Sequence, residues 1–193
     1  LPDKGHTLAY IRFIQWQQRH ISKEVLEEQR TFWQTQLLHI PKLNLIYDKA
    51  KKEEYNAPAN HRIAFKINAS IARKLKNLAL TNQVTLYHVL SSAFGLFLSH
   101  YADQNDINFI TAVSGRQDPK NAHVIGLFTR LLLVRMVIDN QESFSQLIAK
   151  NKKNMDDLLN NQDLPFNEII QCTGERVNSR MHAFNQAGFI FQN

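Results

Sequence analysis

A layered α/β or α+β sandwich, a mixed sheet packed by helices, is the fold class that this sequence predicts, and three observations predict it. Apolar residues recur at the three-to-four spacing of helices in segments 8–20, 22–38, 70–82, 85–101 and 143–159. Between them lie two runs, 107–113 and the second half of 123–138, too continuously apolar for half-exposed strands and suited to strands covered on both faces. The chain has 193 residues and is 44% apolar, enough for one domain core, and it shows no internal repeat or low-complexity tract.

In chain order, Leu8, Ile11 and Ile14 with Trp16, and then Val25, Phe32, Trp33 and Leu37, predict two amphipathic helices within residues 1–40. Ser22 stands where an N-cap accepts a free N–H of the second helix, and Glu24, Glu27 and Glu28 follow near its positive end. Residues 41–60 hold Pro41, Pro58, many charges and no sustained period, the marks of a surface linker ahead of an α/β core at 61–193.

Residues 61–67 alternate Ile63, Phe65 and Ile67 with Arg62, Ala64 and Lys66, the pattern of a strand with one wet face. Ser70 is expected to cap the next helix, whose stripe is Ile71, Leu75, Leu78 and Ala79. Thr85 opens the most strongly periodic helix, with Leu86, Val89, Leu90, Ala93, Phe94, Phe97, Leu98 and Tyr101 expected to pack deeply, and His88 and His100 at its boundary.

The strand at 107–113 ends in Ser114-Gly115-Arg116, a small polar turn of the kind that marks the site edge of an α/β sheet. The strand within 123–138 is expected to lie mid-sheet. Gly126 before it admits a positive φ or a close backbone approach, and Arg130 and Arg135 must find partners or reach an edge. Phe144, Leu147, Ile148, Met155 and Leu158 form the inner face of the helix at 143–159. Pro165 suits the first turn of a short helix with Phe166, Ile169 and Ile170 inward.

The net charge of +6 and pI near 9.5 favour acidic partners. The cations are scattered, however, and the densest run, 49–52, is followed at once by Glu53 and Glu54, as in a solvated linker. A nucleic-acid domain needs clustered cations and exposed aromatics, whereas these aromatics lie on apolar stripes. There is no basic-then-apolar leader and no apolar run near the roughly 20 residues that span a bilayer, so neither secretion nor membrane insertion is expected.

The lone Cys172 cannot form an internal disulfide, which fits a reducing cytoplasm, and it reads as a small buried thiol rather than a nucleophile. Asn68-Ala69-Ser70 reads as a helix start rather than a glycosylation site. Gly-rich phosphate loops, paired-Cys spacings, His-Glu-x-x-His and Gly-x-Ser-x-Gly do not occur, and the 8 His are too widely scattered to predict a metal site.

The motif Ile-Gly-Leu-Phe-Thr-Arg-Leu-Leu-Leu-Val-Arg at 125–135 resembles the Ile-Gly-x-Phe-Val-Asn-Thr-x-x-x-Arg motif of nonribosomal peptide synthetase condensation domains. Asn161-Gln162-Asp163-Leu164-Pro165-Phe166 is similar to the same family's His/Asn-Gln-Asp-x-Pro-Phe motif, at an ordinary family spacing. Tyr10 to Gln17, Glu28 to Trp33, Ser114-Gly115-Arg116 and the closing segment 182–193 also resemble family segments, so the likeness runs from about Leu8 to Asn193.

The resemblance implies the C-terminal lobe of a chloramphenicol acetyltransferase-like fold, truncated before the family's last strands. Two lobes form a V whose cleft is entered from both faces by 4'-phosphopantetheine arms of carrier proteins; no cofactor is bound directly. Amide bonds would be formed there between a carrier-borne acyl donor and an amine acceptor. The family's His-His-x-x-x-Asp-Gly motif is absent from this chain, so no catalytic residue and no independent activity are expected of it. Expected partners are carrier domains and the N-terminal lobe, without nucleic acid or membrane, and an edge left by truncation favours self-association.

By residue, Arg116 matches an Arg that pairs with the motif's Asp. Ser114, Gly115, Gly126, Phe128 and Arg130 are expected on the tunnel wall, and Gln162, Asp163, Pro165 and Phe166 are expected to shape a helix start by capping. Arg130 departs from the family's Asn, Leu131 from its Thr and Asn185 from its Phe; whether Arg130 faces the tunnel or reaches a sheet edge is left open by the residues alone. The alternatives are a non-catalytic relative that docks carriers or partner enzymes, or an epimerisation or cyclisation relative.

Overall fold

Short polar residues start the helices wherever their side chains reach a free N–H. In the computed structural model, which describes residues 4–46, 61–116, 121–174, 184 and 186–192, α1 (Lys4–His20) is followed by α2 (Lys23–Gln36). Ser22 caps α2, accepting the Val25 N–H at 3.4 Å. Asn68, not Ser70, caps α3 (Ala69–Thr81), accepting the Ile71 N–H at 2.8 Å; the carboxamide stands one turn before the stripe, and Ser70 already lies inside the helix. Thr85 precedes α4 (Leu86–Ala102), and Ser143 and Gln146 form a reciprocal capping box at the start of α5 (Phe144–Asn160).

The sheet has three strands in the order β2-β1-β3. β1 (Asp106–Val113) and β2 (Arg130–Val137) are antiparallel, from Asp106 opposite Val137 to Val113 opposite Arg130, and β3 (Gly188–Phe189) runs parallel to β1. The central strand is therefore β1, and β2 lies at an edge of the described sheet rather than in its middle. Its apolar run has another cause: Leu132, Leu133 and Val134 are fully buried, and α5 covers the edge, where Asn154 and Lys150 donate to the carbonyls of Arg135 and Val137 at 3.0 and 3.1 Å.

Residues 61–67 form no strand. Ile63 is 89% and Phe65 83% exposed, and no described strand pairs with them; alternation supplies a face, but a strand also needs a ladder partner. The linker expected at 41–60 begins less superficially than its composition predicts, because Leu43 is buried; its remainder, with the cationic run 49–52, lies outside the described residues, as do His182 and Asn185.

Expected deep packing of α4 holds for only part of its stripe. Its buried residues include Ser91, Ser92, Gly95 and Ser99, while Phe97 and Tyr101 stack on each other at the exposed outer face. Small side chains let the helix backbone approach, and a Cβ on Gly95 would collide with the Met136 sulfur. Asn151 of α5 completes this contact, donating to Ser91 and Ser92 hydroxyls at 2.8 and 3.0 Å. The core joins Trp33 and Leu37 to Phe109, Leu132, Leu158 and the Ile169–Ile170 pair of α6 (Phe166–Gln171). Arg135 is fully engaged there, forking onto Asp106 at 2.7 and 3.0 Å and donating to the carbonyls of Gln36 and Leu38.

His88 makes α4 sensitive to acid. Its Nδ1 accepts the Thr85 N–H at 3.2 Å, and burial pushes its pKa below the ordinary 6.5, with Asp156 opposing and Lys152 reinforcing the shift. A lowered folded-state pKa makes the stability complete above about pH 6.5 and progressively lost as pH falls through that value toward the folded one. His88→Gln keeps an acceptor for the Thr85 N–H, so the fall in melting temperature between about pH 7.5 and 5.5 should be smaller than in the parent chain. Equal falls would mean that His88 is not the sensitive group.

Candidate functional site

The turn after β1 carries the first site residues. Gly115 has φ +60, and a Cβ there would strike the carbonyl oxygen of Phe128, so this position requires glycine on both conformational and steric grounds. Arg116 then extends over the Phe128 ring, 4.0 Å from its centroid, and its guanidinium donates to the carbonyls of Val124, at 2.9 Å, and Asn121. It thereby fastens the 121–124 segment to the end of β1.

Helix α1 closes over this platform. Tyr10 donates its hydroxyl to the Leu127 carbonyl at 2.9 Å, and Phe13 packs against Phe128 with ring centroids 4.6 Å apart. Gly126 serves the close-approach role expected of it, since a Cβ would enter the Tyr10 ring.

Arg130, at the first position of β2, neither stands alone nor runs to a free edge. Its guanidinium meets the Asp163 carboxylate at 3.1 Å and donates to the Gln162 carbonyl at 2.8 Å. The other Asp163 oxygen accepts from Gln29 Nε2 at 3.2 Å, while Gln29 Oε1 accepts the backbone N–H groups of Asp163 and Leu164 at 2.9 and 3.0 Å. A buried glutamine of α2 thus binds both the backbone and the side chain of the 162–164 turn.

The motif stands at the start of α6 without a side-chain cap hydrogen bond. Pro165 occupies the cap of α6 and provides no side-chain hydrogen bond, Phe166 is the first helical residue, and Gln162 donates to the Leu159 carbonyl at the end of α5. Asp163 lies two residues ahead of that cap, and its carboxylate pairs with Arg130 instead.

Between α1 and the strand ends lies a cavity of about 260 Å³, lined by Phe13, Trp16, Gln17, Ile21, Gly115, Asn121, Arg130 and Asp163. Of the predicted site residues it brings together Gly115, Arg130 and Asp163. Phe128 is buried behind the wall, Gly126 is against Tyr10, and the Ser114 hydroxyl accepts the Arg116 N–H at 3.3 Å. Sequence reasoning missed Gln29, although it stands four residues before Trp33 and eight before Leu37 on one buried helix face, where a polar residue must have partners. It also left Phe13 and Asn121 unassigned.

Burial raises the Cys172 thiol pKa above the ordinary 9.0, against the lowering by Arg30. Among the described residues no cluster of His, Cys, Asp and Glu could hold a metal ion, and no helix is long and apolar enough to cross a membrane.

Comparison with known proteins adds ancestry to this geometry. The family model described as Condensation domain matches residues 1–193. Bacitracin synthase 3 of Bacillus licheniformis is 29% identical over 192 residues, covering 98% of this chain and 3% of the relative. Surfactin synthase subunit 1 of Bacillus subtilis (strain 168) is 28% identical over 193 residues, covering 100% of this chain and 5% of the relative. The chain thus spans a small fraction of the curated relatives it matches. A holo four-domain nonribosomal peptide synthetase bound to AMP and glycine superposes with a TM-score of 0.77 at 22% identity, covering 94% of this chain and 14% of that one. The X-domain from teicoplanin biosynthesis superposes with a TM-score of 0.75 at 20% identity, covering 91% and 40%.

Proposed function

The chain belongs to the condensation-domain family, and on that premise we propose that it is the C-terminal lobe of a domain that forms amide bonds in nonribosomal peptide synthesis. An amine acceptor attacks the carbonyl of a carrier-bound acyl thioester, the C–S bond breaks, and the pantetheine thiol leaves as the amine loses its proton. The general base belongs to the other lobe in this reading, since the sequence here contains no His-His pair. This lobe contributes a wall and holds the reacting chains in register, which is the part of catalysis that positioning supplies.

The observation that carries the proposal is the convergence of two separate family-like motifs, Gly115-Arg116 and Gln162-Asp163, with Arg130 at one end of the sheet. Arg116 is the residue we assign to the junction between lobes, where it orients the loop bearing the base. In the intact synthetase, with both carriers loaded, Arg116→Ala should slow amide formation about a hundred-fold without changing carrier loading, and Arg116→Lys should recover part of the loss. Amide formation at the parental rate in Arg116→Ala would overturn the assignment. A second reading, a non-catalytic docking module, is favoured by the likeness to an X-domain solved in complex with OxyB, at a TM-score of 0.76. It predicts that the intact synthetase binds loaded carriers yet makes no amide.

A further inference from the structure

The cavity under α1 has one wall of Phe13, Trp16 and Ile21 and a polar but uncharged contribution from Gln17 and Asn121. Its charged lining residues are Arg130 and Asp163, which are bonded to each other. Their side chains are 19% and 21% exposed, so each ion has lost most of its water and the cation's field is answered chiefly by the carboxylate. Asp163 cannot swing away without cost, because Gln29, only 5% exposed, holds its second oxygen and both adjoining N–H groups.

We propose that Asp163, held in place by Gln29, is a specificity-determining residue that screens Arg130 and makes this cavity a site for an uncharged ligand segment in preference to an anionic one. Aromatic and aliphatic side chains would receive the apolar part of such a segment, and the Gln17 and Asn121 carboxamides can both donate and accept toward a neutral amide or hydroxyl. The inference stands on the cavity alone and does not depend on the reaction proposed above.

The test uses the full chain and two probes with the same ring system, anionic anilinonaphthalene sulfonate and neutral N-phenylnaphthylamine. Binding is read by the rise in each probe's own emission, with Trp16→Ala, which removes part of the apolar wall, as the check on location. The affinity ratio of anionic to neutral probe should rise about tenfold in Asp163→Asn, where Arg130 is unscreened, and return to within about twofold of the parent in Arg130→Asn/Asp163→Asn. An unchanged ratio in Asp163→Asn, a rise that persists in the double variant, or an affinity for the neutral probe that Trp16→Ala leaves unchanged would overturn the proposal. If circular dichroism shows Asp163→Asn unfolded, Arg130→Asn alone decides: the ratio should fall below the parental value, and an unchanged ratio overturns the proposal.

Discussion

Trp33→Ala should lower the unfolding free energy by about 3–5 kcal/mol, the range for deleting a large buried aromatic side chain. Trp33 is fully buried where α2 meets the sheet and α6, and its indole N–H donates to the Asn161 carbonyl at 2.8 Å. Truncation therefore leaves a void among close-packed neighbours and an acceptor without its donor at the end of α5. Trp33→Phe separates these two costs: it retains most of the volume, loses the N–H, and should cost only about 1–2 kcal/mol. Urea unfolding with a common m-value would measure both. A midpoint unmoved by Trp33→Ala would mean that α2 is not anchored to the core, and the Gln29 clamp would lose its foundation with it.

Gly115→Ala should cost about 2–3 kcal/mol and disturb the cavity as well. The penalty has two parts, the left-handed φ of +60 and the collision of the new Cβ with a backbone carbonyl, that of Phe128. A side chain could rotate away; a carbonyl in the segment leading into β2 moves only if that segment moves. Arg116 stacks on the same Phe128, so the shift reaches the guanidinium and the neighbouring wall. Gly174→Ala is the matched control, because Gly174 has φ +80 with nothing within 4 Å of an added Cβ, and only the conformational cost of about 1 kcal/mol should appear. Equal losses from the two substitutions, measured by urea unfolding, would show that the Phe128 collision is relieved at no cost.

The comparison between expectation and structure turns on what kind of information each element needs. Helices were legible because their signals are local: Ser22 caps the helix it was expected to cap, and the stripe of α5 faces the core. Even the misplaced cap of α3 is an error of two residues, settled by which side chain reaches the Ile71 N–H. Strands fared less evenly. The continuous apolar runs of β1 and β2 announce cover on both faces, whereas alternation at 61–67 announces only a face and says nothing about a partner.

The site followed the same division. Its glycine-containing turn and its Arg-rich strand stood out in sequence, because a positive φ and a charge beside buried Leu and Val are demands that residues make wherever they lie. The identity of the groups meeting those demands was not local. Arg130 is answered by Asp163 from across the core, and Asp163 by Gln29 from a helix more than a hundred residues earlier in the chain. By itself the sequence determined the fold class, the helix boundaries to within a few residues, and the positions that must be glycine or must find a counter-ion, since these rest on periodicity, backbone sterics and desolvation. Only the tertiary structure decided which strand is central, that Asp163 pairs with a cation instead of capping a helix, and that α1 roofs the cavity beside that pair. Those outcomes depend on distances between segments far apart in the chain, set by the packing of the whole core.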